Sequence, residues 1–171
     1  SIPELESLVA ESIQMALFRE LCARGDLEGV RAVLARGEEV NAGDERNMTG
    51  LMVVLLCGHN SLVELLLQQP SLDLNISDSC GDTALHYGCL RDNVTGLRML
   101  LRDSRLASVN RRSHAGNTAL MVAVVKGSVG CVRELVRVEG VHLGTREGHS
   151  GDLESGIWSL EALTMVACVD V

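Results

Sequence analysis

The chain has 171 residues, 46% of them hydrophobic and 22% charged, which allows one domain with a sizeable core and excludes a disordered tail. Its net charge of −8 argues against wholesale phosphate binding, which needs a cationic surplus, so nucleic acid is not an expected partner. With one Trp, one Tyr and one Phe, the core must be built from Leu, Val, Ala and Met, which suits stacked helices better than a sandwich or barrel drawing on aromatic strand residues.

Residues 4–24 carry Leu5, Leu8, Val9, Ser12, Ile13, Ala16 and Leu17 at helical spacing. They predict an N-terminal helix, assigned to 1–15, that packs on the adjoining helices and shields their apolar end. Three aligned segments come next. Thr49-Gly50-Leu51-Met52 leads through Gly58-His59 to the apolar run Leu62–Leu67. Thr83-Ala84-Leu85-His86 leads through Asp92-Asn93 to Leu97–Leu101, and Thr118-Ala119-Leu120-Met121 through Gly127-Ser128 to Cys131–Val136. Their threonines stand 34 and 35 residues apart. An earlier copy beginning at Ala16 lacks the Thr and puts Phe18 at the Leu position, followed by Gly25-Asp26, Val30 and Val33-Leu34. Each copy reads as a helix pair: Thr caps the first helix, a glycine in left-handed conformation ends it, and a second helix carries apolar residues at i, i+3 and i+4. Asp92 occupies the glycine slot of the third copy and is a weaker stop. Residues 144–156 read as a polar, glycine-rich loop, and Ile157, Leu160, Leu163, Ala167 and Cys168 as a final helix.

This pattern resembles the ankyrin repeat, whose signature is a T-P-L-H-x-A block in a period of about 33 residues. Thr83-Ala84-Leu85-His86-Tyr87-Gly88 is the nearest match; Asp44 and Asp78 stand five residues before their Thr, and Asn41, Asn75 and Asn110 close the preceding units. The resemblance covers 16–143. It departs from the family where Gly50, Ala84 and Ala119 replace the Pro, where Met52 and Met121 replace the His, and in longer connectors at 70–75 and 102–110. The resemblance implies an all-α solenoid of stacked helix-turn-helix units with hairpin-like connectors, divided into repeats 16–48, 49–82, 83–117 and 118–150, with 151–171 an irregular final helix or truncated cap. It also implies that His86 makes hydrogen bonds between neighbouring loops. Leu67, five residues and then Asp73-Leu74-Asn75 are similar to the pattern by which an intracellular asparaginyl hydroxylase recognises ankyrin hairpins, making Asn75 a candidate for hydroxylation.

No G-x-S-x-G, H-E-x-x-H, Walker-type or G-x-G-x-x-G pattern occurs, so no catalysis and no cofactor are expected. His142 and His149 lie in a glycine-rich stretch without cysteine, a poor zinc framework, and no metal is expected. The six cysteines form no C-x-x-C pair. Cys57, Cys89 and Cys131 fall inside helical apolar patterns and read as buried or half-buried free thiols of a reducing, intracellular compartment, cytoplasmic or nuclear. The N-terminus lacks a basic leader followed by an apolar run, and no stretch reaches the roughly 18 apolar residues of a membrane span. The first residue is Ser, so the chain reads as an excised or processed piece of something longer.

What remains is surface. Ankyrin domains bind partners through hairpin tips and the inner face of the first helices, which here implies Arg46, Met48, Arg112 and His114 at the tips and Leu56, Cys57, Tyr87, Leu90, Arg91, Val125 and Lys126 on the inner face. Charge is uneven: residues 91–140 hold nine Lys or Arg against four acids, a basic island in an acidic chain. The expected function is a monomeric, non-enzymatic scaffold whose protein partner offers an acidic and aliphatic segment; the alternative is the targeting domain of a larger enzyme or channel.

Overall fold

The computed structural model describes residues 2–37 and 39–141, so the expected final helix and loop beyond 141, with His142 and His149, lie outside the described residues. Within them the chain forms eight helices and no strand: α1 (Ile2–Arg24), α2 (Leu27–Ala35), α3 (Gly50–Cys57), α4 (Asn60–Leu67), α5 (Ala84–Leu90), α6 (Val94–Arg102), α7 (Ala119–Lys126) and α8 (Val129–Val136). Odd-numbered helices pack successively as an inner layer, even-numbered ones as an outer layer, and each repeat contributes one of each.

The caps follow from the sequence. Thr49 and Thr118 are extended and accept hydrogen bonds from Met52 N and Met121 N, satisfying donors that the first helical turn leaves free. Gly25, Gly58 and Gly127 end α1, α3 and α7 at φ 74°, 81° and 68°. Asp92 takes the same turn at φ 52°, a conformation unfavourable for a residue with a Cβ; its side chain accepts from Cys131 N at 3.0 Å, tying the turn to the next outer helix.

The core is aliphatic, as the composition requires. Leu51, Leu55, Leu62, Leu66, Leu97, Leu100, Leu120 and Leu135 are buried between the layers. Polar links recur with the period. His59 Nε2 donates to Ala23 O at 2.9 Å, Asn93 Nδ2 to Leu55 O at 3.2 Å and Ser128 Oγ to Cys89 O at 2.7 Å. In each case the start of an outer helix occupies a carbonyl near the end of the inner helix of the preceding repeat. Asn41, Asn75 and Asn110 donate to Ser71 O, Arg105 O and Gly140 O of the next connector.

Two expectations need correction. The N-terminal helix expected at 1–15 is not a separate cap: it runs unbroken into the first inner helix as α1. Its residues Ile2, Leu5, Leu8, Val9, Ile13 and Leu17 are exposed rather than packed on the first repeat. Phe18 and Cys22 are the residues that bury themselves, and they approach α3 so closely that a Cβ on Gly50 would lie 2.6 Å from a Phe18 ring carbon. Burial pushes the Cys22 thiol up to about 12, with nearby Cys57 adding to the effect. Cys57 itself is exposed, because it is the last residue of α3 and faces the open inner surface.

Leu66 of α4 is fully buried. Leu66→Ala should lower the unfolding free energy by about 2–5 kcal/mol in denaturant titration, because it empties a packed helix face; a loss below about 0.5 kcal/mol, the range of neutral surface changes, would contradict this packing.

Candidate protein-binding groove

The connectors after α2, α4 and α6 each fold back as a short hairpin toward the next inner helix. In the first two, Asp44 N donates to Met48 O and Asp78 N to Asp82 O; in the third, Ser113 N donates to Asn117 O. Left-handed residues turn the chain at Asn47, Gly81 and Gly116. Aspartate is suited to the first position because its side chain can accept from amides two and four residues on. Asp44 Oδ1 does so from Arg46 N and Met48 N, Asp78 Oδ1 from Cys80 N and Asp82 N. Successive tips are joined through the backbone, Ser79 N donating to Arg46 O at 2.7 Å and His114 N to Cys80 O at 2.8 Å.

His86 completes this frame. Its Nδ1 accepts from Thr83 N at 3.1 Å, so Nε2 carries the proton and donates to Asn117 O at 3.0 Å. The histidine links its own helix start to the next hairpin, as the resemblance implied. Tyr87 Oη donates to Asp78 Oδ2 at 2.6 Å, which fixes the ring against the hairpin. Burial and that bond raise the phenol well above its ordinary value.

Between the third and fourth repeats these elements leave an open groove of about 680 Å³. Tyr87, Leu90, Val122 and Val125 give it an apolar floor; Asp82 and His114 stand at the hairpin side and Lys126 at the opposite end. Burial pushes the Asp82 carboxyl up from its ordinary value, against the opposing pull of His86. A second hollow of about 590 Å³ adjoins it and is polar, lined by Leu56, Cys57, Leu90, Arg91, Asp92 and Lys126 among others. Leu90 and Lys126 belong to both.

The structure therefore brings Tyr87, Leu90, His114, Val125 and Lys126 together in one groove and Leu56, Cys57 and Arg91 beside it. The remaining three residues lie elsewhere. Arg46 is exposed at the first tip, Met48 stands in the hairpin stem and is partly buried against the core, and Arg112 donates to Gly116 O within its own hairpin. The basic island divides as well. Arg98 makes two bonds to Glu134 on the next outer helix, at 3.1 and 2.8 Å, and Arg137 reaches the same carboxylate at 3.4 Å. The bond from Arg98 and its charge hold Glu134 below its usual range. Arg105 donates to Leu67 O and Gln69 O at the end of α4 and pairs with Asp103. Arg91 and Lys126 are the two cations lining the groove system. Asp92, expected only as a weak helix stop, proves to line it too. A signal was available, since an aspartate in place of glycine at a left-handed turn calls for a compensating contact.

Residues 18–113 match the family profile described as ankyrin repeats (3 copies), and residues 115–146 match a further ankyrin repeat. The chain belongs to the ankyrin-repeat family. Among curated ankyrin-repeat relatives, human "Ankyrin repeat domain-containing protein 63" is 34% identical over 108 residues, covering 62% of this chain and 28% of that protein. "E3 ubiquitin-protein ligase KEG" of Arabidopsis thaliana is 38% identical over 98 residues, 54% of this chain and 6% of that protein. Human "Transient receptor potential cation channel subfamily A member 1" is 24% identical over 133 residues, 78% of this chain and 12% of that protein. The chain thus spans less than a third of each. Ankyrin repeats are non-catalytic modules that bind proteins. No helix among the described residues is long and apolar enough to cross a membrane.

Asp78 holds two tip amides and the tyrosine with one buried side chain. Asp78→Ala should therefore cost about 1–3 kcal/mol of stability, as expected when three partly buried donors lose a charged acceptor. It should also speed amide hydrogen exchange at Cys80 and Asp82. Unchanged exchange at both would contradict the role given to Asp78.

Proposed function

We propose that the chain is a non-enzymatic scaffold, acting in an intracellular setting as a monomer, that captures a protein partner in the groove of its third and fourth repeats. The observation that carries this reading is the composition of the groove: an apolar floor of Tyr87, Leu90, Val122 and Val125 running beside Arg91 and Lys126. A partner segment with aliphatic residues fits the floor, and acidic residues fit the cations at the inner-helix ends. Asp82 at the hairpin end adds a polarity, favouring a donor or cation at that end of the bound segment. Leu56 and Cys57 extend the surface toward the second repeat, and His114 borders it on the hairpin side. A dry apolar centre with a charged rim is the usual anatomy of a protein interface.

Selection of a random peptide library on the protein should enrich peptides combining aliphatic and acidic residues. Arg91→Glu with Lys126→Glu should slow their association, most clearly at low salt, because charges at the edge act mainly on the on-rate and are screened over about 8 Å at physiological ionic strength. Unchanged affinity at both low and high salt would remove the cations from the mechanism and leave the apolar floor alone.

A second reading is supported by the relatives. Two of the three are an enzyme and a channel by name, and the chain covers 6% and 12% of them. On this reading the same groove serves as the targeting domain of a longer enzyme or channel, and sequencing the complete transcript tests it.

Asn75 is proposed as an asparaginyl hydroxylation site. Its side chain bridges connectors, Nδ2 donating to Arg105 O at 2.9 Å and Oδ1 accepting from Ala107 N at 2.7 Å, so the hairpin must open for an enzyme to reach it. Mass spectrometry after co-expression with the hydroxylase should find one added oxygen in the peptide spanning 67–80, and an unmodified peptide would exclude the assignment.

A further inference from the structure

The hairpin end of the groove holds two acceptors without donors. Asp82 stands just before α5 and lines the groove. Its side chain is only 32% exposed, yet its carboxylate accepts no hydrogen bond from the described residues. His86 Nε2 comes within 4.0 Å of Oδ1, but its proton goes to Asn117 O at 3.0 Å. Asn117 lines the groove as well, and its Oδ1 is buried without a partner. The two residues thus meet around one imidazole nitrogen.

Neither side chain serves the frame. The hairpins use only the backbone of these residues: Asp82 N donates to Asp78 Oδ1, Asp82 O accepts from Asp78 N, and Asn117 O accepts from Ser113 N. A carboxylate and an amide oxygen withdrawn from water without donors cost stability, so a ligand that brings donors gains on both. Tyr87 adds an aromatic face. Its hydroxyl is tied to Asp78 at 2.6 Å and its ring lines the groove. Burial and the Asp78 bond raise the phenol, and the nearby charge of Asp82 adds to them.

A carboxylate, a neutral acceptor and an aromatic ring together select a guanidinium. Its N–H donors lie in one plane, pair with a carboxylate as a fork, leave others for an amide oxygen, and allow stacking on a ring. A lysine ammonium is a compact, more strongly hydrated point charge and fits such a set less well. The opposite end of the groove system fixes a spacing. Asp82 and Arg91 bracket α5, nine positions apart, which is about 13 Å along a helix at 1.5 Å per residue. An extended chain covers that distance in about four residues at 3.3 Å each. We propose that Asp82, Asn117 and Tyr87 form an arginine-binding subsite, which makes the captured segment extended and gives it one direction. Its arginine lies at the hairpin end, its aliphatic residues on the floor, and its acid about four positions away at Arg91 and Lys126. The subsite rests on capture of a partner in the groove and adds a residue that the partner must carry.

Peptides selected on the whole chain from a random library supply the probes. They should carry an arginine about four positions from an acid, with aliphatic residues between. In fluorescence anisotropy, replacing that arginine by citrulline, which keeps the shape and removes the charge, should weaken binding about tenfold, equivalent to 1.4 kcal/mol. Asp82→Asn should weaken the arginine peptide by the same factor and leave the citrulline peptide unchanged. Asn117→Ala should also weaken the arginine peptide, and neither substitution should lower the thermal unfolding midpoint. Selected peptides with aliphatic and acidic residues but no arginine would overturn the subsite and leave the groove standing. So would a citrulline loss as large on Asp82→Asn as on the unaltered chain. A library that yields no binding peptide, or only peptides indifferent to Leu90→Ser with Val125→Ser, would overturn the groove and the subsite with it.

Discussion

A pair of eight-residue helices cannot hold itself together in water: it is too short to propagate helix and too small to bury its apolar face. Contact between successive repeats therefore carries this fold. Leucines fill the space between layers, and polar links satisfy the backbone groups that short helices leave open in large number. The same three links recur from repeat to repeat. An outer-helix start donates to an inner-helix carbonyl, as at His59, Asn93 and Ser128. A connector asparagine donates to the next connector, as at Asn41, Asn75 and Asn110. Hairpin tips join amide to carbonyl, at Ser79 and His114. They use buried carbonyls near the inner-helix ends, or run along the connectors and hairpins, and none uses the side chains of Arg91, Val125 or Lys126.

Function follows from that division. Because the frame is held by buried leucines, caps and backbone bonds, side chains at the inner-helix ends are free to take whatever chemistry a partner demands. Here they supply an apolar floor with two cations at one end and Asp82 at the other. The structure sharpens the basic island considerably: Arg98 and Arg137 serve an outer-layer ion pair with Glu134, and Arg105 caps α4 and braces a connector. These three cations are committed to the frame, whereas Arg91 and Lys126 line the groove system and carry the charge on which the proposed recognition rests.

Much of this was legible in the sequence, because a period repeated in register constrains fold, caps and core together. The threonine caps, the glycine stops and the inner-helix positions of Leu90, Val125 and Lys126 could all be read from spacing. Other features could not. Arg98 finds its acid 36 residues later on a neighbouring outer helix, and no local pattern distinguishes such an arginine from one that faces solvent. Cys57 sits in an apolar run but at its last position, where the helix has already turned to the open side. Met48 occupies the stem equivalent of Asp82 and Asn117, so counting from the threonine placed it at a tip it does not reach. In α1 the spacing identified an apolar stripe correctly. Spacing gives a face without saying which way it points, and only Phe18 and Cys22, nine residues on, show that the body of the protein lies on the other side.

The separation of frame from binding surface is the claim on which the functional reading rests, and chemical denaturation tests it directly without any partner. A triple variant of the exposed surface, Arg91→Ala with Val125→Ser and Lys126→Ala, is compared with the single buried link Asn93→Ala. The triple variant should stay within about 1 kcal/mol of the parent, as independent surface changes do, whereas Asn93→Ala should lose about 1–3 kcal/mol by stranding Leu55 O and Gly96 N. A triple variant that unfolds as readily as or more readily than Asn93→Ala would show that the groove residues hold the stack together, and would contradict the account.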